Sequence, residues 1–345
     1  MVIFKLLLYP FAILYNGITQ IRNALYHAGY LRSHHFQIAV VSVGNLSLGG
    51  SGKTPMIEYL IRLLVPDRRA ITLSRGYGRK TKGFRVASGS DDAQTLGDEP
   101  FQLFRKFAPA VKVAVAEQRA PALKALSQQF PDTDVFLLDD AFQHRPVVPR
   151  LSVLLTEYNA PFYRDFVLPA GRLRESRGGA ARADVVVVTK CPADISDETR
   201  TEIRGRVQRY AGAKPVFFSS LVYDSPIPFH PGEVFNPSVI LVSGIADPTP
   251  FDNYATARFK VIRHFRFADH HDYSAADLEV IARYYKGQPG TPSILTTEKD
   301  MVKLIGCTVG PGRLPWFYIP VALGFIGNGA DFDALITRTL TTSNH

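Results

Sequence analysis

Apolar runs of strand length alternate with helical patterns along most of the chain. Residues 185–188 are apolar at every position, which is typical of a strand buried on both faces of a sheet. Strand–helix alternation predicts an α/β fold with a doubly wound, mainly parallel sheet. The runs predicted as strands of this sheet are "QIAVVSVGN", "RAITLSRGYG", "VKVAVAEQR", "TDVFLLDDAFQH", "RLSVLLTEY", "RADVVVVTK" and "PVFFSSLVY".

A segment rich in proline and turn-forming residues, "DSPIPFHPGEVFNP" at 224–237, interrupts this pattern. A second, shorter α/β pattern follows it, with "SVILVSGI" as its first strand and "SAADLEVIARYYK" as a helix. Because such segments are typical of domain boundaries, we divide the chain there. The predicted units are an N-terminal helix at 1–30, a larger domain at 31–223 and a smaller α/β domain at 224–345.

The N-terminal segment has apolar residues at steps of three and four, which predicts one apolar face of a helix. Pro10 predicts a kink or a break in that helix. Polar residues and Pro10 interrupt the run too often for a spanning helix, and no small-residue cleavage site follows it. We therefore predict a helix in the membrane interface, the alternative being a helix packed on the protein's own core. The face comprises Phe4, Leu7, Leu8, Phe11, Leu14, Ile18, Ile21 and Leu25.

Composition narrows the class of partner. The 345 residues are 46% hydrophobic and carry a formal net charge of +9, which suits a globular protein with an anionic partner. No recognition helix or RNA-binding aromatic signature is found, so we expect no nucleic acid. Cys191 and Cys307 lie too far apart to indicate a zinc site or a disulfide framework. Nothing in the sequence indicates an obligate protein partner.

A glycine-rich stretch, "VVSVGNLSLGGSGKTP" at 40–55, resembles the phosphate-binding pattern G-x-x-x-x-G-K-[ST], with serine at the first glycine position. It follows a buried strand and opens a helix, as a phosphate loop must. A glycine-rich turn that matches by accident would leave this context unexplained. The fold is therefore predicted to be P-loop NTPase-like. The predicted nucleotide-binding residues are Ser47, Leu48, Gly49, Gly50, Ser51, Gly52, Lys53 and Thr54.

Two acids end the strand "VFLLDDAFQHR". A phosphate loop needs a carboxylate on a neighbouring strand to hold Mg²⁺, so Asp139 and Asp140 are metal candidates together with the Thr54 hydroxyl. The alternative is a polar strand end. Guanine recognition is disfavoured, because "TKCP" has Pro192 where N/T-K-x-D needs an aspartate. Leu48 stands at the second signature lysine of one ATPase class, which disfavours that class too.

Seven motifs stand in one order along most of the chain: the loop, "SRGYGR", "GDEP", "DDAFQHR", "LPAGRLRE", "FADHH" and "TEKDMVK". On these motifs the chain resembles the tetraacyldisaccharide 4'-kinases, the lipid A 4'-kinases of Gram-negative bacteria. The resemblance implies phosphorylation of the 4'-hydroxyl of a tetraacyldisaccharide 1-phosphate with ATP and Mg²⁺. It also implies a place at the cytoplasmic face of the inner membrane, peripheral or monotopic.

The resemblance also assigns residues. It implies that Asp98 is a catalytic base, which His270 supports from the second domain, and that Lys53 and Arg174 act on the phosphates. Glu175 joins Thr54, Asp139 and Asp140 as a candidate metal ligand. Without the resemblance, the alternatives are a helix cap for Asp98 and a solvated loop histidine for His270. Other residues in matched motifs, whose roles stay open, are Arg75, Arg119, Gln143 and His144.

Two departures from the family pattern and two rival functions remain. Ala141 replaces a glycine that often follows the acids, and His271 adjoins His270 and competes with it for the motif position. One rival is a kinase of another membrane alcohol. The other is a membrane-associated P-loop ATPase switch, which would hydrolyse ATP without an acceptor and would not need Asp98 or His270.

Overall fold

The computed structural model describes residues 2–305 and 314–341, with the backbone alone at residues 2–6. Cys307 lies outside the described residues, and Cys191 is a buried free thiol. The strands are β1 (Ala39–Asn45), β2 (Ala70–Ser74), β3 (Arg85–Val86), β4 (Lys112–Val115), β5 (Val135–Asp139), β6 (Leu151–Glu157), β7 (Val185–Thr189), β8 (Val216–Tyr223), β9 (Ile227–Pro228), β10 (Ser238–Ser243), β11 (Lys260–Arg266), β12 (Ser293–Thr297), β13 (Trp316–Ile319) and β14 (Val321–Phe325). The helices are α1 (Val2–His27), α2 (Lys53–Leu64), α3 (Ala93–Leu96), α4 (Asp98–Phe107), α5 (Arg119–Gln129), α6 (Asp197–Ala211), α7 (Thr249–Arg258), α8 (Ala275–Lys286), α9 (Glu298–Leu304) and α10 (Gly329–Thr341).

The larger sheet has the strand order β14-β8-β7-β6-β1-β5-β2-β4-β3. Its strands are parallel except at the two edges, where β14 and β3 run antiparallel to their neighbours. Every residue of the central strand β1 is buried, including the polar Ser42 and Asn45, as is typical of a strand covered on both faces. The predicted doubly wound, mainly parallel sheet is confirmed. Since parallel neighbours end at the same edge, the register Val43↔Asp139 places the acids beside the loop that follows β1.

The smaller sheet has the order β11-β10-β12-β13-β9, with only β9 antiparallel, and confirms the second α/β unit. The chain then returns to the larger sheet. β14 pairs with β8, and Phe332 and Ile336 of α10 pack into the core that also holds β1. The division at 31–223 and 224–345 stays a prediction, but we propose that the smaller unit ends at Pro320. "PWFYIPVAL" looks like one strand, yet Pro320 separates β13 from β14.

Helix α1 is one continuous helix, so the predicted break at Pro10 does not occur. Pro10 is exposed. The predicted apolar face is largely exposed, with Phe11 63%, Leu14 64%, Ile18 58% and Ile21 63% accessible. The alternative of a helix whose apolar face packs on the protein's own core is therefore wrong. Within the part of the chain described here, no helix has both the length and the apolarity needed to cross a bilayer.

Candidate functional site

The loop after β1 forms a tight, anchored turn. Leu48 donates its N–H to the Arg172 carbonyl at 2.7 Å, and Arg174 donates its N–H to the Leu46 carbonyl at 2.7 Å. Gly49 and Gly52 have φ of 114° and 83°, which only glycine adopts without strain. Gly52 is the N-cap of α2, so Lys53 and Thr54 stand in the first turn of that helix. A helix N-terminus behind a glycine-rich turn is a ready anion site.

The altered first position of the loop has a structural reason. Ser47 forms an antiparallel bridge with Leu173, and it does not have a positive φ. A glycine is therefore not required there. On the other side, Thr189 at the end of β7 donates its hydroxyl to the Ser51 carbonyl at 2.9 Å. The sequence did not predict this hydrogen bond, although the residues "TK" at the end of an apolar strand indicated a polar group at that position.

The two acids differ sharply in environment. Asp139 is 5% exposed, and its Oδ1 has no hydrogen-bond partner among the described residues. Burial raises the pKa of Asp139 to about 7, although the Lys53 ammonium opposes that rise. Asp140 is in the left-handed region, with φ of 48°, so the tight turn falls on it and not on Ala141. The departure at Ala141 therefore does not demand a shifted backbone.

Asp140 lies among cations. Arg174 Nη1 contacts its two carboxylate oxygens at 2.9 and 3.0 Å, and Lys53 Nζ lies 3.6 Å from Oδ1. Burial favours the neutral acid, but Lys53 and Arg174 outweigh it and lower the pKa of Asp140. Arg119, itself 5% exposed, donates to the carbonyls of Asp139 and Asp140 at 3.4 and 3.3 Å. The structure thus brings Lys53, Arg174 and the acidic pair together.

Glu175 is engaged by protein donors. Its Oε1 accepts from Gln143 at 3.0 Å and Arg182 at 2.7 Å, and its Oε2 accepts from Asn23 at 2.9 Å. Within the described residues no group of three or more His, Cys, Asp or Glu side chains has the arrangement of a metal centre. Asn23 lies in α1, and Tyr15 of the same helix donates to the Arg174 carbonyl at 3.1 Å. The N-terminal helix therefore rests directly on the segment that carries Arg174 and Glu175.

The side chains of Asp98 and His270 are in contact, although the two residues are 172 positions apart in the sequence. His270 Nδ1 lies 3.0 Å from Asp98 Oδ2. His270 has φ of 59°, and its N–H donates to the Gly244 carbonyl at 3.1 Å. Asp98 does not cap α4: Gly97 is the N-cap, and no side chain caps this helix. The neighbouring His271 contacts Asp277 at 3.0 Å instead, so His270 is the histidine that faces Asp98.

Two lysines of α9 complete this cluster. Lys303 Nζ lies 3.0 Å from Asp98 Oδ2, and Lys299 Nζ lies 3.0 Å from His270 Nε2. Burial opposes ionisation of Asp98, but His270 and Lys303 outweigh it and lower its pKa. Lys299 also pairs with Glu99 at 3.4 Å, and the charge of Glu99 in turn raises the pKa of Asp139. The Asp98 cluster and the phosphate loop thus share one electrostatic environment. The motif "TEKDMVK" was the signal for these lysines.

His144 lies in a basic surrounding at the same edge of the sheet. Burial and then the charges of Arg119, Arg22 and Arg75 lower the pKa of His144 to about 4. Its Nε2 is buried without a hydrogen-bond partner among the described residues. A neutral imidazole among arginines leaves their positive charge free for an anion.

We expect His144→Gln to flatten the loss of stability on acidification. Between pH 6.5 and 4 the unfolded chain binds more protons at this position than the folded chain, so the folded state loses stability as pH falls. Because the ring is partly exposed, the difference between pH 7 and pH 5 should be about 1 kcal/mol. Urea unfolding at both pH values measures it, with the exposed His35→Gln as control. Parallel pH profiles for wild type and His144→Gln would contradict the assignment.

A phosphate loop, an acid on the adjacent strand and a carboxylate–histidine pair define a P-loop phosphotransferase. The family model described as "Tetraacyldisaccharide-1-P 4'-kinase" matches residues 4–341. The chain therefore belongs to the tetraacyldisaccharide 4'-kinase family, the ATP-dependent kinases of lipid A biosynthesis.

Individual relatives cover nearly the whole chain. The tetraacyldisaccharide 4'-kinase of Flavobacterium johnsoniae is 44% identical over 96% of both chains, and that of Cytophaga hutchinsonii is 41% identical over 94% of this chain and 92% of its own. The crystal structure of LpxK from Aquifex aeolicus in complex with ATP superimposes with a TM-score of 0.76 at 31% identity. That match covers 98% of this chain and 99% of the solved one. Sequence and fold therefore agree on the family.

Proposed function

We propose that this chain transfers the γ-phosphate of ATP to the 4'-hydroxyl of a tetraacyldisaccharide 1-phosphate at a membrane surface. The observation that carries the proposal is the Asp98–His270 contact of 3.0 Å beside a phosphate loop. An ATPase switch needs the loop alone, whereas a kinase also needs a group that accepts the proton of an alcohol. Family membership supplies the acceptor alcohol.

In the proposed reaction, Lys53 and Arg174 neutralise charge on the transferred phosphoryl group. Asp98 accepts the proton of the sugar hydroxyl, and His270 orients the carboxylate through Nδ1. The lowered pKa of Asp98 makes it a weak base for an alcohol. Such a base suffices when the proton leaves late, as it does in a loose, metaphosphate-like transition state.

The oxygen donors near the loop fit Mg²⁺, which prefers carboxylate, hydroxyl and phosphate oxygens. Asp139 has a buried Oδ1 without a partner among the described residues, and Thr54 stands in the first turn after the loop. We propose that these two residues hold the ion, with Asp140 fixed behind them by Arg174 and Lys53. Glu175 would support the site through its present partners. When bound, Mg²⁺ supplies charge neutralisation at the β- and γ-phosphates.

The 1-phosphate of the substrate needs a cationic site of its own. The arginines around His144 offer one, because Arg22 comes from α1, Arg75 follows β2 and Arg119 begins α5. Arg22 lies on the N-terminal helix, and Arg119 contacts the backbone of the acidic pair. A lipid held by its acyl chains along α1 would place an anionic headgroup against this group.

We expect Leu14→Glu with Ile18→Glu to release the protein from anionic vesicles. Both side chains are about 60% exposed on the apolar face of α1, and a charge there opposes burial in the acyl region. Deleting residues 1–25 should have the same effect, but it also removes the Tyr15 and Asn23 contacts. Vesicle flotation checks the result, with Gln20→Glu, an exposed polar position of the same helix, as control. Unchanged flotation of the double variant would refute the interfacial helix.

The proposed function is tested by transfer of phosphate to lipid. Protein, ATP, Mg²⁺ and tetraacyldisaccharide 1-phosphate are mixed in detergent micelles, and the mass of the lipid is followed. A gain of one phosphate is expected. ATP hydrolysis with an unchanged lipid would favour the ATPase switch, and phosphate on a different membrane alcohol would favour the other rival kinase.

A further inference from the structure

A buried charged cluster joins three helices outside the phosphate loop. Glu58 of α2 is 1% exposed, and Glu298 of α9 is 5% exposed. Lys106 Nζ of α4 lies 2.8 Å from Glu58 Oε2 and 2.6 Å from Glu298 Oε1. Gln102, one turn earlier in α4, donates its amide to Glu58 Oε1 at 2.9 Å. One ammonium group therefore links two buried carboxylates that come from helices of different sheets.

Each of these helices also contributes to the site. Lys53 is the first residue of α2, and Asp98 is the first residue of α4. α9 carries Lys299 and Lys303, which contact His270 and Asp98. The reacting groups thus stand on the same rigid elements as the cluster, at the other end of α4. A shift at Lys106 would move the base relative to the phosphate loop.

The space beside the cluster is not filled by apolar packing. A cavity of about 370 Å³ opens there, lined by Arg62, Lys106, Glu298, Tyr318 and Pro320 among others. Burial and repulsion from Glu58 raise the pKa of Glu298. Lys106 therefore compensates charge on both buried carboxylates, and Arg62 shares this role at Glu58, with its guanidinium 3.1 Å from Oε2.

We propose that Lys106 is a positioning residue, which fixes the phosphate-loop helix α2 against the helix that carries Asp98 and the helix that carries Lys303. The inference rests on the proposed kinase function, because it concerns the placement of the base toward the transferred phosphate. The hydrogen bonds that anchor the phosphate loop do not involve Lys106, so we expect loss of the link to affect turnover more than nucleotide binding.

Lys106→Met tests the inference, with kcat and KM measured in the lipid assay. We expect kcat to fall about tenfold with the KM for ATP within about twofold, because misplaced reacting groups lose rate more than ground-state binding. The variant also removes the cation from buried Glu298 and leaves Glu58 with Arg62, which lowers stability. In Lys106→Met with Glu298→Gln the charge of Glu298 is absent, so stability should return while kcat stays low. Lys106→Arg keeps the link and should keep most of kcat.

The matched control is Arg62→Met. Arg62 pairs with the same Glu58 carboxylate at 3.1 Å but lies on α2 itself, so kcat should be unchanged. Recovery of kcat together with stability in the double variant, or an equal loss in Arg62→Met, would overturn the inference. Amide hydrogen exchange of residues 298–304, measured without lipid, should be faster in the double variant than in wild type. Hydrogen exchange does not depend on the substrate, so it tests the role of Lys106 separately from the lipid assay. A wild-type protein that leaves the lipid unphosphorylated would contradict the proposed function instead.

Discussion

Lys53→Ala should abolish phosphate transfer, lowering kcat/KM by about 10³-fold or more. Lys53 begins the helix behind the glycine-rich loop, and its ammonium lies 3.6 Å from Asp140. An ammonium so placed neutralises charge that develops on the transferred phosphoryl group. A methyl group leaves that charge uncompensated. Transfer to lipid, followed by mass, measures the effect.

Lys124→Ala is the matched control for Lys53→Ala. Lys124 is an exposed lysine on α5, and its removal should leave transfer unchanged. Circular dichroism should show that both variants fold. A folded Lys53→Ala protein with transfer within tenfold of wild type would mean that the loop does not hold the reacting phosphate.

Asp98→Asn should lower kcat by about 10³-fold, within the range of lost general-base catalysis, with little change in the KM for ATP. The amide keeps the shape of the carboxylate but cannot take the sugar proton. His270→Gln should lose less, about tenfold, because a glutamine can still donate a hydrogen bond to Asp98. A large loss of kcat in Asp98→Asn and a smaller loss in His270→Gln would distinguish the base from the residue that orients it.

The control for Asp98→Asn is Asp132→Asn, whose carboxylate is 83% exposed and meets Arg69 only at 3.6 Å. It should transfer phosphate at the wild-type rate. If Asp98→Asn keeps its kcat, Asp98 only joins the two sheets through Lys303 and His270, and the base must be sought elsewhere. Equal kcat losses in Asp98→Asn and His270→Gln would mean that the pair acts as one unit.

Some parts of the site could be predicted from local sequence patterns, and others could not. The phosphate loop was accessible because its strand, turn and helix are contiguous, and each has a local pattern. The Asp98–His270 pair came from the family resemblance alone, since no local rule brings residues 172 positions apart together. Helix capping by Asp98 was a sound local expectation, but Gly97 occupies that position and the side chain turns to the second sheet.

Sequence by itself determined the α/β class, the parallel core strands, the phosphate loop and the apolar face of α1, because period and composition act over a few residues. Only the tertiary structure decided the return of β14 to β8 and the engagement of Glu175 by Asn23, Gln143 and Arg182. The same holds for the link through Lys106. These contacts depend on which surfaces pack together, and that choice depends on the burial of the whole chain rather than on any local pattern.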